Sequence, residues 1–137
     1  MEKARQYPAV TDSAGFWHKH GRWHVLRDGA RLVLARRVPA RFDVAAQTML
    51  PLMSRGRLAH QVRQDLWRAL QDLRGFSPVI EVTRMADHLH LRAGGQVACM
   101  VPSGVEMRIA EVIENPANRS RWHQAQRPCG ARQEPVT

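Results

Sequence analysis

Lysine is almost absent from this chain of 137 residues: it has 21 basic residues, but only Lys3 and Lys19 are lysine. The planar guanidinium of arginine makes forked contacts to phosphate and stacks on rings, which the lysine ammonium does not do. A GC-rich coding sequence would give the same bias without functional meaning. The arginine excess therefore supports phosphate binding only weakly.

Cysteine and long apolar runs are also scarce. Two cysteines, Cys99 and Cys129, are too few for a disulfide framework, and we expect Cys99 to be a small core residue. No run approaches the roughly 20 apolar residues that span a bilayer, and the N-terminus lacks the apolar centre of a secretory signal. These absences predict a cytoplasmic protein.

Recognisable catalytic and cofactor motifs are missing as well. The sequence has no GxGxxG and no GxxxxGK[ST], and Gly94-Gly95 is too short for a phosphate loop. Neither cysteine has the surroundings of a nucleophile. His18, His20 and His24 lie close in sequence, but without the ligand geometry that a metal needs. We expect no cofactor, no metal and a binding protein rather than an enzyme.

The clearest element present is an amphipathic helix between Gly56 and Gly75. Its apolar residues fall within about a third of the helical wheel, the pattern of a helix that packs on a core. Gly75 is expected to be the left-handed residue that ends it. The apolar positions are Leu58, Val62, Leu66, Ala69, Leu70 and Leu73.

The outer face of this helix carries a stripe spaced by four, three and four residues, with arginines on both sides. One interpretation is a solvated face with Trp67 folded over the edge of the core. The other is a contact surface for phosphates and bases, or for an acidic protein. The predicted contact residues are Arg57, His60, Arg63, Gln64, Trp67, Arg68, Gln71 and Arg74.

Before the helix, Asp28-Gly29 predicts a hairpin between residues 23–26 and 31–36, with Leu32 and Leu34 on one side and Val33 on the other. Residues 44–50 read as a short helix capped by Asp43, although a loop fits nearly as well.

After the helix, residues 79–84 and 89–92 read as strands. Gly94-Gly95 should break the second strand, and residues 96–101 suggest one further strand. Ser103-Gly104-Val105-Glu106 forms a capping box before a helix. Asn115-Pro116 begins a last helix, which should end near Gln126.

The order of these elements predicts an α+β fold. It consists of a small antiparallel sheet, the N-terminal hairpin plus two or three later strands, packed by the central helix and C-terminal helices. We expect a flexible arm over residues 1–21, a single domain over 22–126 and a disordered tail over 127–137.

Positive charge is uneven along the chain, whose formal net charge is +9. The basic excess lies in the first hairpin, the central helix and the C-terminal end, and these segments could form one positive surface. Secondary contacts are therefore expected at Arg36, Arg37, Arg119, Arg121 and Trp122.

Basic residues interleaved with aromatic ones suit single-stranded nucleic acid, because phosphates bind arginine while bases stack on rings. We therefore expect a small basic nucleic-acid-binding protein, with DNA and RNA both open. The alternative is a protein interaction module or accessory subunit, with Trp67 as its anchor. Weak binding to a membrane surface has only the charge in its favour.

Overall fold

A computed structural model describes residues 16–98 and 100–125 of the chain. The elements are, in chain order, β1 (Phe16–His20), β2 (Trp23–Asp28), β3 (Arg31–Ala35), β4 (Val44–Leu50), α1 (Arg55–Leu70), β5 (Ser77–Arg84), β6 (Leu89–Gln96), α2 (Val105–Glu114) and α3 (Pro116–Ala125).

The strands form one antiparallel sheet in the order β1-β2-β3-β5-β6-β4. The predicted Asp28-Gly29 hairpin joins β2 to β3. The chain then crosses to the far edge of the sheet as β4, passes over it as α1 and returns as β5 beside β3. The predicted α+β fold with an antiparallel sheet is confirmed.

One face of the sheet carries the helices and the larger core. Leu66 and Leu70 of α1 pack in one cluster with Leu34 and Ile80 of the sheet and Ile109 of α2. Burying each such side chain contributes roughly 1.5–3 kcal/mol. The apolar stripe of α1 therefore holds this helix against the sheet, as its periodicity predicted.

A smaller core covers the opposite face. Val33 and Val79 are buried there with Phe42, which lies in the connection between β3 and β4. Side chains alternate across a strand, so Leu34 points to the helices while Val33 points away. Burial on both faces explains the unbroken apolar run of β3.

Residues 44–50 form a strand, so the predicted helix is wrong. Asp43 does not cap a helix: its Oδ2 accepts a hydrogen bond from the Val97 N–H at 2.8 Å. Its own N–H donates to the Gly95 carbonyl at 2.8 Å. A short apolar run suits either structure by periodicity, and here pairing with β6 decides.

The predicted break at Gly94-Gly95 is also wrong, because β6 runs through both glycines. A Cβ on Gly94 would lie 1.9 Å from the Val44 carbonyl oxygen of the neighbouring strand. The glycine thus permits a close approach of two backbones rather than a turn. β6 ends at Gln96, and in the described part of residues 96–101 no further strand forms.

The ends of α1 differ from the prediction in one respect. Ser54 caps the N-terminus, its side chain accepting from the Arg57 N–H at 3.4 Å. The helix ends at Leu70, and Gly75 adopts its left-handed φ of 72° in the turn that follows. Gly75 therefore shapes the exit toward β5 instead of ending the helix.

The two C-terminal helices begin differently. The Ser103 capping box does not form, because Gly104 is the N-cap of α2 with a φ of 89° and no side-chain hydrogen bond. Asn115 caps α3 as predicted, and its Oδ1 accepts from two backbone N–H groups at 2.9 and 3.1 Å. Pro116 is the first residue of that helix.

The N-terminal arm was predicted over residues 1–21, but Phe16–His20 form the edge strand β1, paired with β2. The hairpin thus becomes a three-stranded unit. Residues 1–15, Cys99, the end of the predicted last helix at Gln126, and the predicted tail with Cys129 lie outside the described residues.

Candidate functional site

The hairpin and the start of β5 enclose a cavity of about 500 Å³ beside α1. We call it the tryptophan cleft. Four of its residues are arginine, two are tryptophan, and none is acidic. Its walls are Arg22, Trp23, Arg36, Arg37, Arg63, Trp67, Gly75, Phe76, Ser77 and Pro78.

Each wall of the tryptophan cleft follows from local structure. Trp23 begins β2 and, by strand alternation, shares the helix-facing side with Val25. Arg36 follows directly after β3. Arg63 and Trp67 are four residues apart on α1 and therefore lie on the same side of that helix. Three separate segments of the chain thus place guanidinium and indole groups around one cavity.

Trp23 is already covered by arginine. The Cζ atom of Arg63 lies 4.5 Å from the centre of the Trp23 ring, and the Cζ atom of Arg36 lies 5.7 Å from it. These are cation–π distances. Trp67 differs, since it keeps 51% of its surface exposed. The cleft therefore holds two guanidinium groups at one indole and leaves the other indole open to a ligand.

The charge in the cleft is uncompensated. Burial and then the positive charge of Arg36 lower the pKa of Arg63. The Nε atom of Arg63 is buried and has no hydrogen-bond partner within the described residues. The same holds for the hydroxyl of Ser77, another wall residue. An anion would offset the repulsion and could accept a hydrogen bond from Arg63.

The positive surface continues along α1. A second cavity, of about 580 Å³, shares Arg63 with the tryptophan cleft. A third, of about 240 Å³, shares Arg27, Gly56 and His60 with the second. No acidic residue lines either cavity. We call these two cavities the seam, and its polar residues are His20, Arg27, Ser54, Arg57, His60, Gln61, Arg63 and Gln64.

His60 lies in the seam as a neutral group at neutral pH. Burial, then Arg63 and then His20 lower its pKa below the usual 6.5. Its Nδ1 atom lies 3.4 Å from Nη2 of Arg63, where it can accept a hydrogen bond. His60 thereby orients the guanidinium group that joins the cleft to the seam.

The structure divides the predicted helix-face set into two groups. Arg63 and Trp67 line the tryptophan cleft, while Arg57, His60 and Gln64 line the seam. The remaining residues, Arg68, Gln71 and Arg74, are exposed and line neither.

Arg68 lies on the opposite edge of α1. Its Nη1 atom is 3.6 Å from a carboxylate oxygen of Asp65, on the side of the helix that faces α3. Its charge is therefore partly neutralised, unlike that of Arg63 on the other edge.

The predicted secondary contacts also separate. Arg36 and Arg37 line the tryptophan cleft. Arg119 pairs with Glu114 at 2.7 Å and donates to the Met49 carbonyl. The three basic segments therefore do not all meet at the cleft.

Trp122 needs a correction, since it is fully buried and its Nε1–H donates to Asp65 at 2.6 Å. Arg121 donates to the same carboxylate at 3.1 Å. Trp122 is a core residue and Arg121 its neighbour, so the indole cannot meet a partner in this fold. A tryptophan in a charged helix looks the same in sequence whether it is core or surface.

Sequence reasoning missed Arg22, Trp23, Arg27 and Phe76 as site residues. The available signal was strand alternation, which places Trp23, Val25 and Arg27 on one face of β2. Only the packing of α1 against that face turns it into a cavity wall.

Among the described residues, no three His, Cys, Asp or Glu side chains cluster as a metal site would need. Within the same part of the chain, no helix is both long and apolar enough to cross a membrane. The chain matches no known family model, no curated protein and no solved structure.

Proposed function

We propose that this protein binds nucleic acid, with the tryptophan cleft and the seam as its contact surface. The observation that carries the proposal is the cleft itself, with four arginines, two tryptophans and no carboxylate on its walls. Arginine forks suit phosphate oxygens. An exposed indole suits an unpaired base.

Single strands fit this surface better than duplex. Trp67 is half exposed beside arginines, and base stacking on an aromatic side chain contributes about 1–3 kcal/mol per base. The bases of a duplex are already stacked on one another. The seam extends past Arg63 and offers Arg27 and Arg57 to further phosphates.

Fluorescence anisotropy with labelled dT20, rU20 and a 20-base-pair duplex tests the proposal. Four phosphate contacts give a slope of about −3 in log affinity against log salt, so affinity for dT20 should fall about 50-fold between 50 and 200 mM NaCl. Absence of binding to all three probes at 50 mM NaCl would overturn nucleic-acid binding.

A matched pair of double variants locates the contact. Arg36→Gln with Arg63→Gln removes two cleft charges and should flatten the slope by about 1.4. Arg41→Gln with Arg68→Gln removes the same charge from residues that pair with Asp43 and Asp65, and should change the slope little. Equal effects of the two pairs would move the contact away from the cleft.

A protein partner is the second candidate, because Trp67 is an exposed large aromatic residue with a polar surround, as interface anchors often are. Trp67→Ala should then abolish binding, whereas the cleft double variant should only weaken it. A nucleic-acid ligand should show the reverse order.

A further inference from the structure

We infer that the tryptophan cleft takes a nucleotide that carries a terminal phosphate monoester. This deepens the proposed function, because it names the part of a nucleic acid that the cleft would hold. The same chemistry occurs at the phosphorylated end of a strand and in a free mononucleotide.

Charge is the first argument. An internal phosphodiester brings one negative charge, whereas a phosphate monoester brings about 1.5 to 2 near pH 7. The single cavity of the tryptophan cleft has four arginines and no carboxylate on its walls. A group with more than one charge offsets that concentration better than one phosphodiester does.

Arg63 and Arg36 give the charge a specific position. They lie at the same indole, at 4.5 and 5.7 Å from its ring centre, so their guanidinium groups converge. Burial and Arg36 lower the pKa of Arg63, and its Nε–H is buried without a partner in the described chain. The three terminal oxygens of a monoester can accept from both guanidinium groups at once.

Size and stacking limit the ligand to one nucleotide. The cleft volume of about 500 Å³ is within the range of about 300–1,000 Å³ for small-ligand sites. Trp23 is occupied by arginine, so Trp67 alone among the two indoles offers an open face. One phosphate position beside one stacking surface matches one nucleotide.

Competition binding at pH 7.5 tests this inference on the full chain. The probes are dT12 with a 5′-phosphate, with a 3′-phosphate and with both ends hydroxyl, together with free dTMP and thymidine. We expect one phosphorylated end to bind at least about tenfold more tightly than the hydroxyl form, the gain of one added charge-assisted contact. We also expect dTMP to compete better than thymidine.

Variants separate the cleft from general charge. Arg36→Gln with Arg63→Gln should abolish the preference for the phosphorylated form, while Arg41→Gln with Arg68→Gln should keep it. Trp67→Ala should weaken phosphorylated and hydroxyl dT12 alike. Circular dichroism confirms folding, which we expect to survive because Arg36 and Arg63 form no ion pair within the described residues.

The outcomes distinguish this inference from the proposed function. Equal affinity for all three dT12 forms, with no advantage of dTMP over thymidine, would overturn the inference and leave nucleic-acid binding intact. Tight dTMP binding with no binding of any dT12 form would support the inference and overturn the proposed function. Preference for one phosphorylated end with weak dTMP binding identifies the strand end as the source.

Discussion

Asp65 shows how one side chain can join helices that are far apart in sequence. It is buried in α1, and its carboxylate accepts hydrogen bonds from Trp122 at 2.6 Å and from Arg121 at 3.1 Å. A buried carboxylate is tolerated only when it is paired and hydrogen-bonded. This contact fixes α3 against α1.

Replacing Asp65 by alanine should lower the free energy of unfolding by about 2–3 kcal/mol, because the Trp122 N–H would stay buried without an acceptor. Urea denaturation followed by tryptophan fluorescence measures the loss. The control is Asp72→Ala, since Asp72 also pairs with an arginine, at 2.8 Å, but is largely exposed. That change should cost less than about 1 kcal/mol. Similar losses at both positions would contradict this role of Asp65.

Two tryptophans of the cleft differ in what their sequence context reveals. Trp67 breaks an otherwise polar helical stripe, so its exposure could be predicted from the period of α1. Trp23 begins a strand, where an aromatic residue is common in any environment. Its role depends on Arg63, which lies 40 residues further along the chain and reaches its ring only in the folded protein.

At the scale of elements, the pairing of β4 with β6 decides the far half of the sheet. Gly94 lies opposite Ala45 in this pair, and the space for its side chain is filled by backbone. The glycines that suggested a loop are thus a packing requirement of two adjacent strands.

Gly94→Ala should therefore destabilise the protein by about 1–3 kcal/mol, the usual cost of an overfilled site. Gly56→Ala is the matched control, because its nearest neighbour is a flexible arginine atom at 3.7 Å and alanine suits a helix better. We expect that control to be neutral or stabilising by up to about 1 kcal/mol. Thermal unfolding of both variants decides, and a Gly94→Ala protein as stable as the parent would show that β4 and β6 can separate at no cost.

The helix α1 links core and site. Its apolar stripe packs on the sheet, its Arg63 edge faces the tryptophan cleft, and its Asp65 edge binds α3. The two edges carry opposite charge. This polarity explains why only half of the predicted arginine set lines a cavity.

At the scale of the whole molecule, a net charge of +9 opposes folding through self-repulsion. Much of it is concentrated where arginines line cavities without carboxylates. The same arrangement that would attract an anion therefore destabilises the free protein.

Salt should consequently have opposite effects on binding and on stability. Raising NaCl from about 10 to 150 mM shortens the screening length from about 30 to 8 Å, which should raise the melting temperature of the free protein. The Arg36→Gln, Arg63→Gln variant should show a smaller rise than the Arg41→Gln, Arg68→Gln variant. Differential scanning calorimetry measures both, and a melting temperature that falls with salt in the parent would refute the self-repulsion argument.

The sequence by itself determined the fold class, the hairpin at Asp28-Gly29, the apolar face of α1 and the Asn115 cap. Each of these depends on a local signal: a turn that needs φ > 0, a period of 3.6 residues, or a side chain that caps its own helix. Net charge is likewise a property of composition.

Only the tertiary structure decided that residues 44–50 pair as a strand, that Trp122 is buried and that the tryptophan cleft exists. The physical reason is the same in each case. These outcomes depend on contacts between residues that are distant in sequence, such as Val44 with Gly95, Asp65 with Trp122, and Arg63 with Trp23. Local propensity does not encode such contacts, so packing had to choose among states that the sequence left nearly equal.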